Sequence, residues 1–171
     1  SVLDEKPAGR QPIKTALISD ERVSEVINHL RDAISQGRQA YWVCPLVGES
    51  EVSDLIAAEE RFKTLRALLG EDVIRLVHGQ MPAAEKDAAM SDFVEGRAQV
   101  LVATTVIEVG VNVPKATIMV IERAESFGLA QLHQLRGRVG RGSEASTCLL
   151  MYKAPLSENG QKRLTVLRET N

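Results

Sequence analysis

Along the chain, short apolar runs of strand length alternate with longer stretches in which apolar residues return every three or four positions. Residues 13–18 form the first such run. Behind them Val23, Val26, Ile27, Leu30 and Ile34 keep helical spacing, with Ser19 or Asp20 placed to cap the start and Gly37 to end it. A second run at 40–46 is followed by Leu55, Ile56, Phe62, Leu65 and Leu69, which fall on one helical face closed by Gly70. The pattern repeats with a strand at 73–77, a helix opening at Pro82 and closing near Gly96, and strands at 100–103 and 118–121. A helix around 129–135 and a strand at 149–152 complete it. Continuous apolar strands have no face to give to water, so the predicted class is α/β, a mostly parallel sheet covered by helices on both sides. In such sheets the ligand crevice lies beyond the carboxyl ends of the strands, which directs attention to the segments after Cys44, Val77, Ala103 and Ile121.

A chain of 171 residues, 44% of them hydrophobic, can bury one good core and is short for two. Residues 1–12 hold Pro7, Gly9 and Pro12 among charges and have no period, as expected of an extended linker. The domain is placed at 13–156. Residues 157–171, with Leu164 and Leu167 among Lys162, Arg163 and Arg168, read as a further helix begun and cut off. The formal net charge of -2 removes any overall positive field, so contact with nucleic acid has to be local. Cys44 and Cys148 are the only cysteines and are expected to be free thiols buried at strand ends, in neither a disulfide nor a metal site. No apolar stretch reaches the roughly 18 residues of a membrane span, and no leader opens the chain. A cytoplasmic protein without membrane contact is expected.

The densest chemistry lies at 131–142, where Arg136, Arg138 and Arg141 sit among Gly137, Gly140 and Gly142 at the end of an apolar helix. Glycine admits loop geometry that other residues resist, and a guanidinium on such a loop matches a phosphate with two parallel hydrogen bonds. The plain alternative is a solvated turn whose arginines serve only solubility. A second stretch, 100–114, is a buried strand ending in Thr104 and Thr105, then a turn carrying Gly110 and Asn112. Threonines there suit a helix cap, and a helix N-terminus is also an anion site. After the third strand comes Val77-His78-Gly79-Gln80-Met81-Pro82, in which the histidine alone reads as a hydrogen-bonded structural residue. Tyr41 and Trp42, inside the second strand, fit core packing better than stacking on a base.

These stretches resemble the motifs of superfamily 2 helicases. The motif VI pattern Gln-x-x-Gly-Arg-x-Gly-Arg stands without gaps at Gln134, Gly137, Arg138, Gly140 and Arg141. The resemblance implies that Arg138 and Arg141 are catalytic arginine fingers, reaching the γ-phosphate of ATP bound to another lobe. It also implies that Gln134, where many relatives carry histidine, links the phosphate site to the DNA path. Residues 100–114 resemble motif V, which implies contact of Thr104 and Thr105 with a DNA phosphate and approach of Gly110 and Asn112 to the nucleotide. Asn112 stands where many members have aspartate. Residues 77–82 resemble the family's His-Gly segment, placing His78 and Gly79 along the nucleic-acid backbone, while Ala83-Ala84-Glu85-Lys86 departs from the Gln-x-x-Arg signature of some relatives.

Within the superfamily, Leu3-Asp4-Glu5 with Pro7, Gly9-Arg10 and Pro12-Ile13 resembles the inter-lobe linker of the RecG family. Residues 127–135 are similar to a stretch shared by the RecG and Mfd families, and Pro155-Leu156-Ser157 with 163–168 resembles the start of the RecG translocation hairpin. The resemblance implies a RecA-like three-layer fold, the second lobe of an ATP-dependent double-stranded DNA translocase that remodels stalled forks and Holliday junctions in recombination and repair. It implies a monomer whose partners are branched double-stranded DNA and, in the same polypeptide, a first RecA-like lobe and a DNA-reading domain. No Gly-x-x-x-x-Gly-Lys-Ser/Thr loop and no acidic pair suited to Mg²⁺ after a strand occurs here, so ATP and Mg²⁺ are expected on the first lobe and this chain alone is expected to be inactive. The competing readings are the corresponding lobe of an Mfd-like transcription-repair coupling factor, a structural docking domain, and a stand-alone nucleic-acid-binding module. The last would use Arg136, Arg138, Arg141, Lys162, Arg163 and Arg168.

Overall fold

The structure, a computed structural model, describes residues 13–45, 51–104, 113–140 and 145–169. Among them, β1 (Ile13–Ser19), β2 (Gln39–Val43), β3 (Ile74–Val77), β4 (Val100–Ala103), β5 (Ala116–Ile121) and β6 (Ser146–Tyr152) form one sheet in the order β1-β6-β5-β2-β4-β3. Every neighbouring pair is parallel. The α-helices are α1 (Val23–Ser35), α2 (Glu51–Leu69), α3 (Ala83–Val94), α4 (Leu129–Arg136) and α5 (Glu158–Glu169). Strands β2, β4 and β5 are buried along their whole length because they have neighbours on both edges and helices on both faces, whereas β1, at an edge, is mostly half-buried. The RecA-like α/β architecture expected from the sequence is the one observed.

The pleat divides the core in two. Ala40, Trp42, Val100, Val102, Ile118, Val120 and Met151 face α1 and α2, meeting Val26, Ile27, Leu30, Ala58 and Leu65. Tyr41, Val43, Leu101, Met119, Ile121, Cys148 and Leu150 face the opposite way, against Phe93 of α3, Leu132 and Leu135 of α4, and Leu164 and Leu167 of α5. Full burial of each Val, Leu, Ile, Phe or Met among them contributes roughly 1.5–3 kcal/mol relative to exposure.

Several element boundaries differ from those the spacing predicts, for identifiable reasons. Ser19 accepts a hydrogen bond from the Glu21 amide at 3.3 Å and opens a single 3-10 turn, Asp20–Arg22, before α1 begins. Strand β6 starts three residues before the apolar run, at Ser146, because it pairs in register with β1 from Ile13 onward. On α2 the expected face holds at Leu65, which is buried, and at Phe62 and Leu69, which pack against the core, but Ile56 is 52% exposed while Asp54 and Ala58 are buried. Cys148 lies in the middle of β6 rather than at a strand end, and Cys44 directly follows β2; both thiols are free and buried. Gly37 and Gly70, at φ 82° and 117°, take the left-handed conformation that ends α1 and α2, as their positions in the sequence predict. No helix among the described residues is long and apolar enough to cross a membrane.

Candidate nucleotide and nucleic-acid interface

The strands run parallel, so their carboxyl ends share one edge of the sheet. Val77, Ala103, Val43 and Ile121 are paired across β3, β4, β2 and β5. The ladder continues one residue further, with Thr104 N donating to Val77 O at 3.3 Å, Cys44 N to Ala103 O at 2.8 Å and Glu122 N to Val43 O at 3.0 Å. His78, Thr104, Cys44 and Glu122 therefore stand in a row beyond the last regular pairs. The chain order reverses about β2, since β3 and β4 lie on one side of it and β5 and β6 on the other, and a crevice opens at such a point.

The row brings together two residues expected from the sequence to meet nucleic acid. Thr104 is buried, at 7% exposure, and its neighbour His78 is half-buried. The Gln80 amide donates to His78 Nδ1 at 3.1 Å, so in the neutral ring the proton sits on Nε2, which is left as the donor. Gly79, exposed, follows with open space where a Cβ would be. Thr105, Gly110 and Asn112 lie outside the described residues.

The other expected set belongs to α4 and the turn after it. Gln131 Oε1 accepts from the Gly128 amide at 3.1 Å and fixes the helix start. Leu132, Leu135 and Val139 are buried in the core and anchor both the helix and its exit. The chain tightens there, with Gly137 N bonding His133 O and Arg138 N bonding Leu135 O, each at 3.0 Å. A Cβ on Gly137 would come within 3.4 Å of two helix carbonyls, and Gly140 has φ 81°, so both glycines serve this turn. Gln134 is exposed and Arg138 half-buried; Arg141 lies outside the described residues.

Arg136 departs from the expectation of a projecting guanidinium. It is 5% exposed and turned inward, with Nη1 donating to Leu167 O at 2.6 Å and to Thr15 Oγ1 at 3.4 Å. Its Nη2 lies 3.2 Å from His133 Nδ1, which accepts because a guanidinium only donates. One side chain thus joins α4, the last turn of α5 and β1. Arg163 is similarly engaged, Nη2 donating to Glu125 O at 2.6 Å.

A cluster that sequence reasoning did not identify lies at the ends of β2 and β5. Trp42, fully buried, donates its indole N–H to Glu122 Oε1 at 2.6 Å, and the Arg61 guanidinium bonds the same carboxylate while lying 5.5 Å from the indole centroid. Arg61, Glu122, Arg123, Cys44, Asp20 and Glu60 help line a cavity of about 400 Å³. Burial first, and then the Glu122 charge, push the Cys44 thiol far above its ordinary range against the opposing pull of Arg61, so it stays protonated. Burial likewise raises Cys148 to about 12, opposed by Arg136. The one advance signal was position, a charged Glu-Arg pair directly after a buried apolar strand. Among the described residues no group of acids, histidines or cysteines is arranged to hold a metal ion.

Residues 21–143 match the helicase conserved C-terminal domain family. Together with the parallel sheet, this match means that the chain belongs to that family of helicase lobes. Within it the chain is RecG-like. It is 55% identical over 172 residues to the ATP-dependent DNA helicase RecG of Escherichia coli K12, covering 100% of this chain and 25% of that protein. The RecG of Bacillus subtilis is 46% identical over 172 residues with the same coverage. The structure of RecG bound to a three-way DNA junction superposes with a TM-score of 0.81 at 42% identity, covering 98% of this chain and 22% of that one. Saccharomyces cerevisiae Dbp5 bound to RNA and ADP BeF3, at 17% identity, a TM-score of 0.66, and coverage of 94% of this chain and 39% of Dbp5, shares the fold. The chain thus spans about a quarter of the length of the curated relatives it matches.

Proposed function

We propose that this chain is the second motor lobe of an ATP-dependent double-stranded DNA translocase that remodels branched DNA, such as stalled forks and Holliday junctions, in recombination and repair. The observation that carries the reading is the α4 turn: a RecG-like chain carries Gln134 and Arg138 on a helix and exit anchored in the core by the buried Leu132, Leu135 and Val139. In this reading Arg138 and Arg141 reach across to ATP and Mg²⁺ held by the first lobe of the same polypeptide. They stabilise charge on the transferring phosphoryl group, an effect worth about 10³ to 10⁵ in rate for such fingers. Gly110, Asn112 and Gln134 lie along the nucleotide side; Thr104, Thr105, His78 and Gly79 contact the DNA backbone at the strand ends. The lobe closes on ATP and opens after hydrolysis, moving one grip on DNA relative to the other. The whole protein acts as a cytoplasmic monomer, with residues 1–12 as the inter-lobe link, 13–156 as the lobe and 157–171 as the start of the translocation hairpin.

The identity to RecG favours this over an Mfd-like lobe. The stand-alone DNA-binding reading is weakened because Arg136 and Arg163, two of the cations it needs, are engaged inside the protein. The test is ATP turnover by the intact polypeptide with and without a model fork. Strong stimulation by the fork, with no turnover by the 171-residue chain alone, is the expected result. Turnover by the isolated chain, or an intact protein indifferent to DNA, would overturn the reading.

A further inference from the structure

The geometry points to Arg123 as a further DNA-phosphate contact, extending the nucleic-acid path along the carboxyl edge of the sheet from β3 and β4 to β5. This rests on the functional reading above and adds a residue outside the stretches that suggested it. Arg123 is the second residue beyond β5, level with Gly79 beyond β3 and Pro45 beyond β2, because Val77, Val43 and Ile121 are paired in register. Three strand spacings separate β3 from β5, roughly 14 Å. Nucleic acid advances about 3.4 Å per nucleotide of one strand, so a backbone lying along this edge offers several phosphates over that span.

Two features single Arg123 out. Its guanidinium is exposed and has no partner among the described residues, while the charge next to it in the chain, Glu122, is held by Trp42 and Arg61. Its backbone is left-handed, with φ 46° and ψ 53°, the single non-glycine residue so placed among those described. That conformation is uncommon for residues other than glycine and asparagine, and is found where the surroundings fix it. Here the clamp on Glu122 fixes one side, and the Ser126 amide and hydroxyl, bonding Arg123 O at 2.9 and 2.7 Å, fix the other. Asp20 and Glu60 line the adjoining cavity and disfavour an anion within it, so the contact is with the exposed head of Arg123 at the rim. A basic peptide docking against those acids is the rival outcome.

The intact protein carrying Arg123→Asn, which removes the charge yet tolerates the left-handed backbone, is compared with Arg123→Lys in fork-DNA binding at several salt concentrations. Loss of one phosphate contact lowers the slope of log affinity against log salt by about 0.7–0.9, and affinity near 0.1 M salt by roughly five- to eightfold. Arg123→Lys keeps the slope, and thermal unfolding of both variants matches that of the parent protein. An unchanged slope in Arg123→Asn, or an equal loss in the lysine variant, would overturn the assignment. A parent protein without fork-stimulated ATP turnover would instead sink the functional reading, so the two failures are distinguishable.

Discussion

Helices α1 and α2 are held on their side of the sheet mainly by Val26, Ile27, Leu30, Ala58 and Leu65, with polar ties toward the edges: Arg31 Nη2 to Leu68 O at 3.1 Å, and the half-buried Arg61 to the Glu122 carboxylate at the strand ends. Across the sheet, α4 and α5 share an apolar core too, but there the buried Arg136 guanidinium also joins α4 to α5 through Leu167 O, and the half-buried Arg163 ties α5 to the turn before α4 through Glu125 O. Apolar burial is non-directional: it sets how closely a layer lies and tolerates small rotations. Charge-assisted hydrogen bonds are directional and fix orientation. The layer that carries Arg138 is the one in which such a tie reaches a guanidinium as buried as Arg136, at 5% exposure, which suits the phosphate contact proposed for Arg138.

That contrast can be broken by substitution. Leu30→Ala, at a fully buried position, should cost roughly 2–5 kcal/mol in urea unfolding, while Leu30→Met at the same site should cost less than about 1.5 kcal/mol, because volume suffices there. Arg136→Met should not be so forgiving: it removes the charge-assisted bonds to Leu167 O and Thr15 Oγ1 and is expected to cost about 1.5–3 kcal/mol in the same experiment. A cost for Arg136→Met no larger than that for Leu30→Met would erase the distinction between the layers.

The smallest effect concerns pH. Hydrogen bonds from Arg97 first and Arg75 second hold the Asp92 carboxyl below its ordinary range. The unfolded chain therefore binds this proton at higher pH than the folded one does. The stabilisation is complete above the ordinary aspartate value of about 3.9 and is lost as pH falls through the lowered folded value. Asp92→Asn should flatten the acid limb of the stability profile and leave the region above pH 6 parallel to that of the parent. An unaltered acid limb would show that the pair of arginines contributes nothing measurable.

What the sequence made legible follows from how local each cause is. The strand at Val100–Ala103 is legible in the sequence because a run of four apolar residues between helical stretches suits a strand covered on both faces. The His-Gly and Thr positions were legible because they directly follow such runs. The buried face of α2 was misread at Ile56, because apolar spacing alone does not say which of two neighbouring stripes meets the sheet. The role of Arg136 was hidden because its partner, Leu167 O, lies 31 residues away, and the Glu122 clamp because Trp42 and Arg61 lie 80 and 61 residues distant. No local pattern encodes such meetings; they exist only once the helices pack.

The most direct test of the central claim is the turnover number for fork-stimulated ATP hydrolysis by the intact protein and its Arg138→Ala variant, with fork affinity measured in parallel. A fall of about a thousandfold or more with DNA affinity retained is the predicted result. Turnover within a few-fold of the parent would contradict the account, leaving a helicase-like lobe whose α4 turn takes no part in phosphoryl transfer.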